Sequence, residues 1–390
     1  MRTAVCYSQI TESYPAGKNA IQTVIAELDG RSPDFLFLFT SVGHDIPEVM
    51  RGIKTICPDV PLCGCSGSGI ISHKGCDEAT HSLALMAIVS TRLTFHPFIY
   101  PFLAKEPEKI GAELAANLQP ILAETAEKHL LFLFTDGLTV NVDALFRGLE
   151  GSLTKHLDIV GGTAGNDFQG LTTCQFCNDL VLSDSIAGVL VSGDFHYRIG
   201  VTHGSKPVGL FRTITKADKN LILQIDDLPA IDLLSTFIGE ERVRDFGHIL
   251  NLFELGEQFP GQGYDEDIIN RAIIGIDRER GGIRLAVEIA EGTKVRITRR
   301  DMNLVLERTA LMARELRGSL HHPEQAAYFY FNCCGRGSYL FGEPEPDVDV
   351  LRNQLGKDCN MIGFFTFGEF APVRGKNYFH NYTGILVAVE

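Results

Sequence analysis

FLFLFT at residues 35–40 returns as LLFLFT at 130–135 and is echoed by AYFYFN at 327–332. None of the three alternates polar with apolar residues, so each reads as a strand covered on both faces. Their neighbours repeat as well. Copy one has a helical segment at 18–28 before the strand and an amphipathic one after it, with Ile46, Val49, Met50, Ile53 and Ile56 at helical spacing. VPLCG at 60–64, a glycine-rich loop and LALMAIV at 83–89 complete it. Copy two runs through a helix at 107–127, the strand at 130–135, a helix marked by Leu145, Leu149 and Leu153, then DIVGG at 158–162 and AGVLVSG at 187–193. Copy three has a helix at 302–317, the strand at 327–332, a short helix near 347–356, MIGFFTFG at 361–368 and GILVAV at 384–389.

A strand, a helix and a second strand in that order imply a parallel crossover. The third strand of each copy follows only a loop and is expected to pair antiparallel. The expected fold class is therefore α/β (mixed α+β), with repeated helix-strand-helix-strand-strand units forming mixed sheets covered by helices. A β-rich segment in the second half interrupts the repeat. There, 214–225 reads as two strands around a polar turn, 283–300 as a hairpin turning at Glu291-Gly292, and 229–239 as a short helix.

In such sheets ligands sit beyond the carboxyl ends of the parallel strands. That rule picks out Thr40-Ser41-Val42-Gly43, Thr135-Asp136-Gly137 and Cys333-Cys334-Gly335-Arg336-Gly337 after the first strands. After the second strands it picks out Cys65-Ser66-Gly67-Ser68-Gly69, Thr163-Ala164-Gly165-Asn166-Asp167 and Thr366-Phe367-Gly368-Glu369. Glycines at these ends let a backbone approach a ligand closely.

The totals narrow the function. At 390 residues the chain exceeds the usual size of one core, so two packed halves are expected. Lys and Arg total 35 against 49 Asp and Glu, a net charge of −14, which argues against nucleic-acid and anionic-membrane partners. The amino terminus has no signal-peptide core and the apolar runs are too short to cross a bilayer, so a cytoplasmic location is expected. Of the 10 cysteines, Cys57, Cys63, Cys65 and Cys76 crowd one region and Cys174 and Cys177 form a CxxC. One CxxC supplies half of a tetrahedral zinc site, so no metal site is assigned. There is no Walker A sequence, no dinucleotide fingerprint after a strand and no G-x-S-x-G.

GCSGSG at 64–69, GGTAGND at 161–167, PVGLFRTITKAD at 207–218, RAIIGID at 271–277, EGTKVRITRRD at 291–301, CCGRG at 333–337, GFFTFGE at 363–369 and HNYTGILV at 380–387 together resemble the FIST family over nearly the whole chain. The resemblance implies a FIST N-type module at 1–195 and a FIST C-type module at 196–390. It further implies an intracellular signal-transduction sensor that binds a small ligand, an amino acid or similar. No output segment is recognisable within the 390 residues, so a separate signalling partner such as a histidine kinase is implied.

The candidate ligand-binding residues are Arg336, Glu369, Cys334, Gly335, Gly337, His380, Asn381, Cys65, Ser66, Asp136 and Asn166. Arg336 can fork onto a carboxylate, and Glu369 and Asp136 can take an ammonium. Arg336 and Glu369 equally suit an ion pair with each other, and His380 and Asn381 suit a loop cap. Some free-standing members of the family are nitric-oxide-sensing haemoproteins that regulate a histidine kinase, so haem is the cofactor alternative. It would be held non-covalently, with His73, His203 and His380 among the candidate ligands. A third reading is a thiol enzyme with Cys334 or Cys65 as nucleophile, His380 as base and Glu369 as its orienter.

Overall fold

The computed structural model describes residues 1–124, 128–167, 172–240, 243, 252–258 and 268–390. Copy one opens with a strand ahead of its first helix: β1 (Arg2–Ser8), α1 (Ser13–Glu27), β2 (Phe35–Thr40), α2 (Ile46–Lys54), β3 (Leu62–Ser66), β4 (Ile70–Ser72), β5 (Gly75–Asp77) and β6 (Leu83–Val89). Copy two follows the same plan: β7 (Leu93–Pro101), α3 (Pro107–Glu124), β8 (Lys128–Thr135), α4 (Val142–Ser152), β9 (Ile159–Thr163), β10 (Gln175–Cys177), β11 (Leu180–Leu182) and β12 (Ser185–Gly193). β13 (Tyr197–Thr202) starts copy three, and an insertion interrupts it: β14 (Ser205–Asp218), β15 (Leu221–Ile225), β16 (Leu228–Pro229), α5 (Ala230–Ile238), β17 (Phe253–Gln258), β18 (Ile268–Arg271), β19 (Ile273–Asp277), β20 (Gly282–Leu285) and β21 (Lys294–Arg300). The copy resumes with α6 (Met302–Gly318), β22 (Ala327–Cys333), α7 (Ser338–Phe341), α8 (Glu345–Leu355), β23 (Asn360–Thr366), β24 (Gly368–Val373), β25 (Lys376–His380) and β26 (Gly384–Val389).

By internal contacts the chain forms two compact units. One comprises Met1–Val201, Thr309–Phe379 and Gly384–Glu390, and the other Thr202–Arg308 and His380–Thr383. All three copies thus contribute to the first unit.

That unit contains three six-stranded sheets built to one plan: β1-β6-β2-β3-β10-β11, β7-β12-β8-β9-β24-β25 and β13-β26-β22-β23-β4-β5. In each, the two strands joined by a helix are parallel (β2 with β3, β8 with β9, β22 with β23), and the last strand of the copy runs antiparallel beside them. The glycine-rich connections, expected as loops, are hairpins that leave their own copy. The hairpin of copy one edges the third sheet, that of copy two the first, and that of copy three the second. Each exchange covers a strand edge that would otherwise present unpaired amides and carbonyls.

The alternation hidden in FLFLF now has a cause. Phe37, Phe132 and Phe329, at matching places in β2, β8 and β22, meet with ring centroids 4.7–5.1 Å apart. One layer on, Phe39, Phe134 and Phe331 meet at 5.3–6.3 Å. The residues between them, Leu36 and Leu38 in copy one and Tyr328 and Tyr330 in copy three, face the helices. Every residue of β2 is buried, as expected for a strand covered on both faces.

The helix layers differ between copies. In copies one and two the two helices lie in backbone contact. A Cβ on Gly17 would stand 2.0 Å from the Val49 carbonyl oxygen, and one on Gly148 would stand 1.9 Å from that of Glu108. In copy three, α6 and α8 are instead joined through a buried arginine, Arg336.

The second unit is one antiparallel sheet of eight strands in the order β18-β17-β21-β14-β15-β20-β19, with β16 on β15. β14 and β15 pair around a turn and α5 follows Pro229, as expected. The hairpin expected at 283–300 does not form. β20 pairs with β15 and β19, whereas β21 pairs with β14 and β17. Gly292 does make a left-handed turn (φ 85°), but it hands the chain to another strand of the sheet. Among the described residues no helix is long and apolar enough to cross a membrane.

Candidate functional site

The carboxyl ends of the three parallel strand pairs interlock through their backbones. Within copies, Gly67 N donates to Thr40 O (2.9 Å) and Ala164 N to Thr135 O (2.8 Å). Between copies, Gly165 N donates to Ser66 O (3.0 Å), Ser68 N to Phe365 O (2.9 Å) and Phe367 N to Thr163 O (3.3 Å). The glycine turns therefore share one rim in the first unit. Glycines are needed there because the loops approach at backbone distance.

Several expected site residues build this rim. Ser66 Oγ donates to Gly165 O (2.9 Å) and accepts from Cys174 N (3.0 Å), tying copy one to copy two. Asp136 is buried and closes its own loop. Oδ1 accepts from the Leu138 and Thr139 amides (both 2.8 Å) and Oδ2 from Thr173 Oγ1 (2.8 Å). Asn166 Nδ2 donates to Thr172 O (3.3 Å). Glu369 is fully buried and accepts from Thr366 Oγ1 (2.5 Å).

Arg336 has a different role from the one its motif suggested. It is completely buried, and its guanidinium holds Asp347 of α8. Nη2 lies 3.0 Å from Oδ2 and 3.2 Å from Oδ1, and Nε 3.2 Å from Oδ2. Nη2 also donates to Thr309 Oγ1 of α6 (2.8 Å). Tyr330 Oη (2.8 Å) and Asn332 Nδ2 (3.1 Å) donate to the same carboxylate. Burial alone would lower the Arg336 pKa, but the charges of Asp347, Tyr330 and Glu369 outweigh it and raise the value. The fork that could clamp a ligand carboxylate thus already grips a carboxylate of the chain. Its ion-pair partner is Asp347, and Glu369 acts on it as a neighbouring charge.

Cys65 is also misplaced for a site residue. Its side chain lies in the phenylalanine core, and burial raises its pKa well above the ordinary thiol value. Such a thiol keeps its proton at neutral pH and lacks the thiolate a nucleophile needs. Cys334 is buried in the turn ahead of Gly335. His380 and Asn381 fall in the second unit, where Asn381 Oδ1 accepts from Ala272 N (3.0 Å), so Asn381 ties a loop to a strand end.

Glu78 is a rim residue that the motifs did not reveal. Its carboxylate accepts from Ser338 N (3.1 Å), directly after Gly337. A Cβ on Gly337 would stand 1.8 Å from Glu78 Oε1, so a side chain there would push the Glu78 carboxylate away from the Ser338 amide. Burial raises the Glu78 pKa against the lowering effect of Ser338, and the negative charges of Asp167 and Glu345 raise it further. Tyr339 lies close enough for Asp167 and Glu78 to act on it, and it is 47% exposed. The surroundings of Gly335 and Gly337 are thus acidic, with the half-exposed ring of Tyr339 nearby. Nothing in the local sequence CDEAT marks Glu78, because its partner lies 260 residues away.

Among the haem candidates, His73 sits on the β4–β5 turn, where burial and the charges of Lys74 and Arg352 hold its pKa at about 4. His203 Nδ1 accepts from Ser205 N (3.3 Å). Among the described residues no group of three or more His, Cys, Asp and Glu side chains is placed to hold a metal ion. Cys174 and Cys177 do not form a chelating pair, since Cys177 packs into the central core and Cys174 against the helix-side cluster.

Relatives resemble the chain end to end. It is 24% identical over 400 residues to an uncharacterized protein of Mycobacterium bovis, Mb0898c, covering 98% of this chain and 97% of that one. It is 24% identical over 391 residues to the uncharacterized protein Rv0628c of Mycobacterium tuberculosis, covering 98% of each. A shorter match, 23% over 220 residues, reaches the uncharacterized protein MJ1623 of Methanocaldococcus jannaschii and covers 54% of this chain and 42% of that one. Among solved structures, a cyanuric acid hydrolase from A. caulinodans aligns over 100% of this chain and 98% of its own, at 8% identity and a TM-score of 0.34, too low to carry an argument. The FIST N domain model matches residues 34–228 and the FIST C domain model residues 230–372, domains associated with signal-transduction sensing. The chain therefore belongs to the FIST family.

Proposed function

We propose that this protein is an intracellular sensor whose input is a small amine-bearing ligand, an amino acid or similar, taken at the rim beside Glu78, Gly335 and Gly337, and whose output passes to a separate partner protein. The observation that carries the reading is the backbone interlock of three copies next to a partly buried carboxylate that has no ion-pair partner among the described residues. A cation there would offset the burial, and the lesser repulsion from Asp167 and Glu345, that raise the Glu78 pKa, and the exposed ring of Tyr339 offers an ammonium a favourable face. Because Arg336 is engaged by Asp347, recognition shifts from the carboxylate end of an amino acid to its amino end.

A thermal-shift series tests this, comparing amino acids, simple amines and amine-free carboxylates on the wild type and on Glu78→Gln. Amine-bearing compounds are expected to stabilise the wild type by about 2.7 kcal/mol at a hundredfold excess over their dissociation constant, and the variant far less. Equal stabilisation by amine-free carboxylates, or an unchanged response of the variant, overturns the assignment.

A further inference from the structure

Cys63 and Cys177 face each other across two neighbouring antiparallel strands. The register of β3 with β10 sets Cys63 opposite Cys177. The adjoining backbone bonds, Ser66 N to Cys174 O and Asn178 N to Leu62 O (both 2.9 Å), belong to the even-numbered pairs of this ladder. The cysteines therefore occupy a non-hydrogen-bonded position, where opposed Cα atoms lie about 4.5 Å apart and side chains come nearest. That spacing lies within the roughly 4.4–6.8 Å that a disulfide spans. Both side chains are on the core face. Cys174, the other half of the CxxC, packs on the helix side and does not compete.

We propose that Cys63 and Cys177 form a reversible disulfide, a redox modification site that fastens the exchanged β10–β11 hairpin of copy two to the β3 edge of copy one. The two members differ in place: Cys63 is completely buried in β3, whereas Cys177 is 4% exposed on the short edge hairpin. Cys177 is the member an oxidant reaches first, and its thiolate attacks.

With hydrogen peroxide as oxidant, the Cys177 thiolate attacks one peroxide oxygen, the O–O bond breaks, and hydroxide leaves and takes a proton. The Cys63 sulfur then displaces the sulfenic hydroxyl, forming the S–S bond and releasing water. Two thiols and one peroxide become one disulfide and two waters. The hairpin carrying Cys177 is short, with strands of three residues and Leu180 53% exposed, so local opening gives a small oxidant access. Cys174, three residues before Cys177, is hydrogen-bonded to Ser66 at the rim, so the cross-link tightens the same strand end that forms the candidate site.

The experiment treats the reduced full-length protein with hydrogen peroxide, counts thiols after denaturation and maps peptides without reduction. The count is expected to fall from ten to eight, with one peptide pair joining Cys63 to Cys177. The melting temperature should rise and return on adding dithiothreitol. Cys174→Ser should form the same cross-link, and Cys177→Ser should not. A count that stays at ten, or a cross-link between any other pair, overturns the proposal. The mapping is made on the wild type, so its outcome does not depend on a variant folding.

Discussion

Removing Asp347 tests whether Arg336 is a structural element of copy three. The guanidinium and carboxylate are both fully buried, with three contacts of 3.0–3.2 Å between them. Taking away one member of a buried pair leaves an uncompensated charge and costs about 3–5 kcal/mol. Asp347→Ala also strips Asn332 Nδ2 of its acceptor and leaves Tyr330 Oη with only Asn332 Oδ1 (3.2 Å), and an orphaned buried donor costs about 1–3 kcal/mol. Asp347→Ala should therefore destabilise more than Arg336→Met. Both losses are large beside a typical total of about 5–15 kcal/mol. The double variant Arg336→Met/Asp347→Leu leaves no unpaired charge, so its cost should fall short of the summed single costs by about 2–3 kcal/mol. Urea denaturation followed by far-UV circular dichroism is the suitable assay, because the chain has no tryptophan. Single costs below about 1 kcal/mol, or strict additivity in the double variant, would refute the reasoning. A folded, fully stable Arg336→Met protein that had lost only its response to ligand would return Arg336 to the binding site.

Phe132→Ala, which opens the three-ring layer, should cost about 3–5 kcal/mol by the same assay, whereas Leu180→Ala at an exposed edge should stay within about 0.5 kcal/mol. The His73 pKa is lowered from 6.5 to about 4, so its stabilising contribution is present above pH 6.5 and is lost as the pH falls through about 4. His73→Gln should flatten the loss of melting temperature across that interval, and an unchanged slope would contradict the assignment. An absorbance scan of the purified protein should show no Soret band, and a stoichiometric band would make haem the input in place of an amine.

Much of the first unit was legible from the repeat. FLFLFT, LLFLFT and AYFYFN mark three strands covered on both faces, and each is followed by a helix and a parallel partner. The strands opening each copy, β1, β7 and β13, were not legible, and neither were the exchanged hairpins. Of the hairpin strands, β4, β5, β10 and β11 have only three residues, too few to show a period. At the site, the convergence of Ser66, Asp136, Asn166 and Glu369 with the glycine turns followed from the strand-end rule. Arg336 was drawn to the wrong partner, because no local pattern shows that α8 turns Asp347 inward.

What the amino-acid order determined alone is the unit that repeats, since hydrophobic period and glycine punctuation act over a few residues at a time. Only the tertiary structure decided which sheet each hairpin joins, which carboxylate neutralises Arg336, and that Glu78 closes on Gly337 and Cys63 on Cys177. Those choices link residues from 11 (Arg336 to Asp347) to 294 (Ile70 to Phe364) positions apart, and they depend on which strand edges and helix faces meet once the three copies share one core.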